Sequence, residues 1–194
     1  MHDTLIAYIN NALGKTLSEK DEHLLESVFK PKKLRKHQYM LQEGEVCRFA
    51  GFIVRGACKQ YTVDKSGKEN IIGLFIEHWW VGDRESFMTG TPSPYNIEAV
   101  EDVEVLLAGR EDFLNTLSRQ PFINEMMNVL TEKHSFHLIK RVHAAHTLTA
   151  EERYHDLHKK YPEFFQRFPQ HIIASYLGMT KETLSRIRAG SGKK

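Results

Sequence analysis

Apolar and polar positions follow two rhythms along this chain, and the changes between them mark out its parts. Over residues 1–30, Leu5, Ile6, Ile9 and Leu13 recur three and four apart and predict a helix. A second helix is predicted to open at Ser18, to carry Leu24, Leu25 and Val28, and to stop at Pro31. The basic run Lys30 to Lys36 reads as a solvated strand entry rather than a nucleic-acid arm. From Leu34 to about Gly109 the helical period disappears. Short runs rich in Ile, Val, Phe and Tyr, such as 50–54, 58–63, 70–75 and 103–108, alternate with turn signals at 43–45, 55–56, 65–68, 82–83 and 91–94. Turns spaced roughly ten residues apart predict an antiparallel sandwich or barrel, a closed β-domain able to enclose one small ligand.

Beyond Arg110 the pattern turns helical again. A short helix is expected within 109–121, ended near Pro121, followed by one long helix from Phe122 to about His146. On it Ile123, Met127, Leu130, His134, Leu138, then Arg141 or Val142, and Ala145 fall three and four apart, a seam like that of a coiled coil. Nothing else in the chain predicts a helix of that length to cover the seam. A second copy of the protein is therefore the expected partner, the other reading being a helix packed on its own β-domain. Thr149 with Glu152 forms a capping-box pattern that opens another helix, ended by Pro162, and residues 161–168 then act as a link.

The stretch 169–188 predicts two short helices around a tight turn. Ile172, Ile173, Tyr176 and Leu177 recur at helical spacing, Gly178 supplies the sharp exit, and Thr180 caps the second helix. Residues 173, 177, 179, 184 and 187 make a small shared core. Thr180, Lys181, Glu182, Ser185, Arg186 and Arg188 are left as a polar, mostly cationic outer surface, the pattern of a helix-turn-helix that presents side chains to base edges in a DNA major groove. An ordinary helical hairpin is the bland alternative.

Charge supports the first reading. Residues 1–146 hold 18 basic and 20 acidic residues, net −2, whereas residues 147–194 hold 9 and 5, net +4. The 41% hydrophobic, 27% charged composition is that of a soluble globular protein, with no membrane span or secretory leader in view, so a cytoplasmic location is expected. Cys47 and Cys58 suggest buried small hydrophobes rather than a disulfide or redox pair. Seven of the eleven histidines lie between His134 and His171, three pairs of them three apart, yet no acidic or cysteine partner stands at ligand spacing, so no metal is expected.

Helices, about eight strands, a long helix and a terminal helix-turn-helix follow one another here. Together with the runs at 52–75, 79–86 and 173–188, this chain resembles the cyclic-AMP receptor protein and fumarate–nitrate regulator (CRP/FNR) family of bacterial transcription regulators over nearly its whole length. The family's recognition helix typically begins Arg-Glu-Thr, with another Arg four residues after the Glu. Lys181, Glu182, Thr183 and Arg186 stand at those positions, Lys181 being the departure. The resemblance implies an α+β fold, with a cyclic-nucleotide-binding-type β jelly roll as sensor (1–118), a dimerisation helix (119–146) and a helix-turn-helix DNA-binding domain (147–194). It also implies double-stranded DNA, a second copy and RNA polymerase as partners, with a small effector in the β-roll. In the docking mode of the family Arg186 would favour guanine and Glu182 would accept from a cytosine amine.

Cyclic-nucleotide-binding members carry a Gly-Glu pair and a downstream Arg-Ser pair around the phosphate. Here Gly82-Asp83 stands for the first, and Ser93-Pro94 for the second, so the cation is missing. The effector pocket is therefore expected around Gly82, Asp83, Arg84, Ser93 and Tyr95, with cyclic AMP binding poorly. An iron–sulfur cluster is not expected either, because the N-terminal cysteine cluster that holds it in oxygen-sensing members is missing. The link 161–168 is short for the β-hairpin wing that many members place there. The competing class, a cupin-like β-barrel ligand-binding protein or enzyme with a helical appendage, needs two histidines one apart on a strand. His37 and His78 are the histidines of the β-region and are unpaired in sequence. No nucleophile elbow, P-loop or dinucleotide fingerprint appears, so no enzymatic activity is expected.

Overall fold

The computed structural model describes residues 1–191. Two helices lead the chain, α1 (His2–Leu13) and α2 (Glu19–Val28), the second capped by Ser18, whose side chain accepts from the Asp21 amide. Eight antiparallel strands follow: β1 (Lys30–Leu34), β2 (Tyr39–Leu41), β3 (Phe49–Arg55), β4 (Cys58–Val63), β5 (Glu69–Phe75), β6 (Trp80–Val81), β7 (Asn96–Ala99) and β8 (Val103–Gly109), with helix α3 (Arg84–Thr89) between β6 and β7. They form two four-stranded sheets, ordered β1-β8-β3-β6 and β2-β7-β4-β5. The sequence predicted this sandwich. It did not predict that Pro31 lies inside β1 rather than ending α2, which stops at Val28. β1 is an edge strand, exposed over Lys30 to Lys33, where charged residues and a proline discourage pairing with another chain. The basic run is thus explained by sheet chemistry.

The helical half comprises α4 (Arg110–Asn115), a 3₁₀ turn (Leu117–Arg119), α5 (Pro121–Thr147), α6 (Ala150–Lys160), α7 (Phe164–Arg167), α8 (Gln170–Tyr176) and α9 (Lys181–Ser191). Pro121 starts α5 instead of ending the helix before it, because a proline costs a first helical position no hydrogen bond. The reciprocal bonds between Thr149 and Glu152 that open α6 are both present. Residues 161–168, expected as a plain link, contain α7. α9 runs to Ser191, and residues 192–194 lie outside the described residues.

Two apolar clusters organise the packing. One joins α1, α2, the sandwich interior and the first turns of α5. The other is shared between the outer side of the second sheet (Tyr61, Ile71, Leu74, Ile76) and the C-terminal helices (Phe164, Ile173, Leu184). The helices that follow α5 therefore bury their apolar faces against the β-domain of the same chain.

Candidate nucleic-acid interface and effector site

Helices α8 and α9 are held together by local chemistry. Ala174 is 2% exposed, small enough for α9 to cross close over α8. Gly178 takes φ 66°, the left-handed turn that closes a helix, while the Met179 amide donates back to the Ala174 carbonyl at 3.0 Å. Thr180 accepts from the Thr183 amide at 3.2 Å and caps α9 as its sequence position predicts. Leu184 is fully buried, whereas Thr180, Lys181, Glu182, Ser185, Arg186 and Arg188 are all exposed. Arg186 is held lightly by a 3.4 Å bond to Thr183. Hydrogen bonds from its own amide and from Thr180 keep the Glu182 carboxyl below the ordinary glutamate range, so it is an acceptor. Arg153 of α6 braces the turn by donating to the Leu177 carbonyl at 3.1 Å and to Leu148 at 2.8 Å. Sequence reasoning missed Arg153, since its partners lie 24 and 5 residues away and follow no motif.

The residues expected at an effector pocket are close together but occupied with one another. Asp83 is 6% exposed and caps α3 by accepting from the Glu85 amide at 3.1 Å and the Ser86 amide at 3.4 Å. Arg84 points away, donating to Thr131 of α5 at 2.7 Å. Ser93 is 2% exposed; its hydroxyl accepts from the Tyr95 amide at 3.1 Å and its carbonyl from Gly44. Gly82 has φ 148°, with the Phe49 carbonyl 3.3 Å from where a Cβ would stand. Ser86, which the sequence did not single out, ties the segment down by accepting from the Cys47 amide and donating to Thr91. Cys47 and Cys58 are fully buried, and burial, reinforced by Glu101, pushes the Cys58 thiol up to about 12.

On α5 the first residues of the expected seam pack inward, while His134 and Leu138 are exposed. Ile123 is 1% exposed, and Met127 and Leu130 pack on the same core. Farther along that face Arg141 donates to the Ile72 carbonyl at 2.8 Å and lies over the Tyr176 ring at 4.4 Å. That side faces its own chain. Partial burial, then the charges of Arg84 and Arg141, lower the pKa of His134 there. At 3.6 residues per turn, Phe136 and Ile139 fall on the opposite side and Val142 at its edge, about a quarter turn from the seam. They are 55%, 65% and 58% exposed, and Leu138, 43% exposed, flanks them.

Comparison with known proteins agrees with this architecture. Residues 31–120 match the cyclic nucleotide-binding domain family. Over 188 residues the chain is 27% identical to the anaerobic regulatory protein of Haemophilus influenzae, covering 89% of this chain and 71% of that one. It is 26% identical to the regulatory protein HlyX of Actinobacillus pleuropneumoniae, over 89% and 76% of the two chains. The fold matches that of FixK2 from Bradyrhizobium japonicum with a TM-score of 0.71 at 20% identity, covering 86% and 85%. No helix among the described residues is long and apolar enough to cross a membrane. With a matched cyclic nucleotide-binding domain, similarity to regulatory proteins along most of its length and the fold of FixK2, the chain resembles the CRP/FNR regulators.

Proposed function

We propose that the chain is a dimeric, sequence-specific DNA-binding transcription regulator in which 1–118 senses, 119–146 dimerises and 147–194 reads DNA. The observation that carries this is the outer face of α9, where Lys181, Glu182, Ser185, Arg186 and Arg188 are exposed around a buried Leu184. Arg186 can fork onto a guanine edge and Glu182 can accept from a cytosine amine, one turn apart on one helix. Lys181 supplies a point charge suited to a phosphate, not the planar two-bond contact of the family's Arg. Thr180 and Arg188 flank this surface and suit backbone contacts. Dimerisation through Phe136, Ile139 and Val142, with Leu138 at the margin, would place two such helices on a near-palindromic site. Contact with RNA polymerase follows as a family expectation. Any small effector of the β-roll would be something other than cyclic AMP, because the Gly82 to Tyr95 segment offers no free cation among its described side chains for a cyclic phosphate.

The test is selection from a random duplex pool by the purified protein at about 0.1 M salt, where non-specific binding is moderate. A two-fold site should be enriched, and Arg186→Ala should lose discrimination at one base pair per half-site, worth about 1–3 kcal/mol each. Enrichment that survives in Arg186→Ala unaltered would remove this residue from the readout. A dimer enriching nothing, with or without cell extract metabolites, would overturn the proposal.

A further inference from the structure

The segment 161–168 takes a form that its sequence position does not explain. Where many members of the family carry a wing, this chain has the aromatic turn α7, and it faces the β-domain. Phe164 is fully buried, stacked on Tyr161 with ring centres 4.9 Å apart. Trp79, from the connection between β5 and β6, meets Tyr161 edge-on at 5.4 Å and Phe164 at 6.0 Å. Arg167, the one cation between Tyr161 and Phe168, turns the same way. Its guanidinium donates to both carboxylate oxygens of Glu77, at 2.5 and 2.9 Å, and also to Glu101 in the connection between β7 and β8. Glu77 accepts in addition from the Gly56 amide at 2.7 Å, so three connections of the β-domain converge on one arginine. Gly56 has φ 99° and a Cβ there would stand 2.4 Å from the Asp102 carbonyl, which fixes this corner of the fold.

A second set of contacts lies along β5, an edge strand of its sheet. The Ile71 amide donates to the Ser175 hydroxyl at 3.0 Å, and that hydroxyl donates to the Glu69 carbonyl at 3.2 Å. Ser175 sits on α8, so the first helix of the reading pair closes the open edge that the sheet would otherwise present. With Arg141 on the Ile72 carbonyl, α5 and α8 together cover β5.

We propose that α7 is an intrachain latch, with Arg167 its fastening residue, that fixes the α8–α9 pair on the β-domain of the same chain instead of reaching DNA backbone as a wing would. Arg167 then carries charge that serves the sensor domain and contributes nothing to phosphate binding. The α8–α9 pair moves with its β-domain as one body, and any signal reaching Glu77, Trp79 or Glu101 bears directly on where the reading helix stands.

Amide hydrogen exchange on the intact, DNA-free protein tests the latch without reference to DNA. In Arg167→Ala the Ile71 amide should exchange about tenfold faster or more, since its partner Ser175 leaves with α8, while the Leu106 amide inside the β3–β8 ladder keeps its wild-type rate. Glu101→Gln, which leaves the Glu77 pairing in place, should shift Ile71 in the same direction by less. Unchanged Ile71 exchange in both variants, or equal acceleration at Leu106 in both, overturns the latch. A second measurement rests on the DNA-binding reading. The slope of log K against log salt for Arg167→Ala should equal that of wild type. A slope reduced by about 0.9 would make Arg167 a phosphate contact and overturn the proposal. If no duplex is bound by either protein, the DNA-binding reading fails while the exchange result still decides the latch.

Discussion

One methylene at position 83 changes the chemistry of the segment from Gly82 to Tyr95. A glutamate at the start of a short helix reaches past the first amides, which suits it to a ligand in front of the helix. An aspartate there folds back as an N-cap, and Asp83 does so, accepting from Glu85 and Ser86. Ser93 and Pro94 complete the change. Ser93 is buried on local partners, and Pro94 has no amide to offer. Arg84, the cation nearest in sequence, is drawn to Thr131. The expectation is that cyclic AMP gives no calorimetric binding below about millimolar concentration, a gap of roughly 4 kcal/mol from a micromolar site. A low-micromolar Kd would show that Arg84 swings from Thr131 into the segment. At this scale the sequence was informative wherever chemistry is local. Thr180, Gly178 and the Thr149–Glu152 pair act within four residues of themselves. Arg153, Arg167 and Ser175 escaped notice because their partners lie 24, 90 or 104 residues away, where no spacing rule applies.

Among the elements, α5 shows what periodicity can and cannot reveal. Residues 123, 127, 130 and 134 do share a face, as their spacing predicted. Spacing does not say what covers a face, and here the same chain covers its first part, Ile123 at 1% exposure with Met127 and Leu130 packed on the core, while His134 stays exposed. The side with Phe136 and Ile139 is more weakly patterned, interrupted by Ser135, Lys140 and His143, and so did not stand out, whereas Val142 was read as one of two ways to continue the seam. Exposed apolar side chains in a row call for a partner. If a second copy is that partner, Ile139→Glu should convert the dimer to monomer at micromolar concentration, by placing a charge in a desolvated seam. Sedimentation equilibrium measures this directly. Met127→Glu should instead destabilise the fold by about 2–5 kcal/mol in denaturant unfolding, because it faces the chain's own core. A dimer unaffected by Ile139→Glu would return the interface to some other surface. The strands were the most legible elements, with β4 matched at both ends, because turn residues punctuate an antiparallel sheet closely. α7 was the least, being four residues stabilised by what they dock on rather than by their own pattern.

For the molecule as a whole, the histidines beside the C-terminal half of α5 link docking to pH. His137 is half-buried, and burial first, then the charges of Arg141, His134, Lys160 and Lys140, lower its pKa. His134 is lowered in the same direction by partial burial, Arg84 and Arg141. These cations come from α3, α5 and α6 and oppose a proton on either ring. An unfolded histidine titrates near 6.5. Between that value and the lower folded one, the unfolded chain binds more protons, so stability rises with pH across this window. It is fully present above about 6.5 and is lost as pH falls toward the folded values. Carboxylates held low in the fold, such as Glu77, where burial pulls upward but the bonds from Arg167, Gly56 and its own amide together with the arginine's charge pull further down, lose their contribution only in a more acidic range. The two windows are therefore separable. Thermal unfolding at pH 5.5 should occur at a lower Tm than at pH 7.5, and the double variant His134→Gln, His137→Gln should flatten that difference without lowering Tm at pH 7.5 by more than a few degrees. Identical pH dependence in the double variant would assign the acid sensitivity elsewhere and leave these two rings as neutral packing.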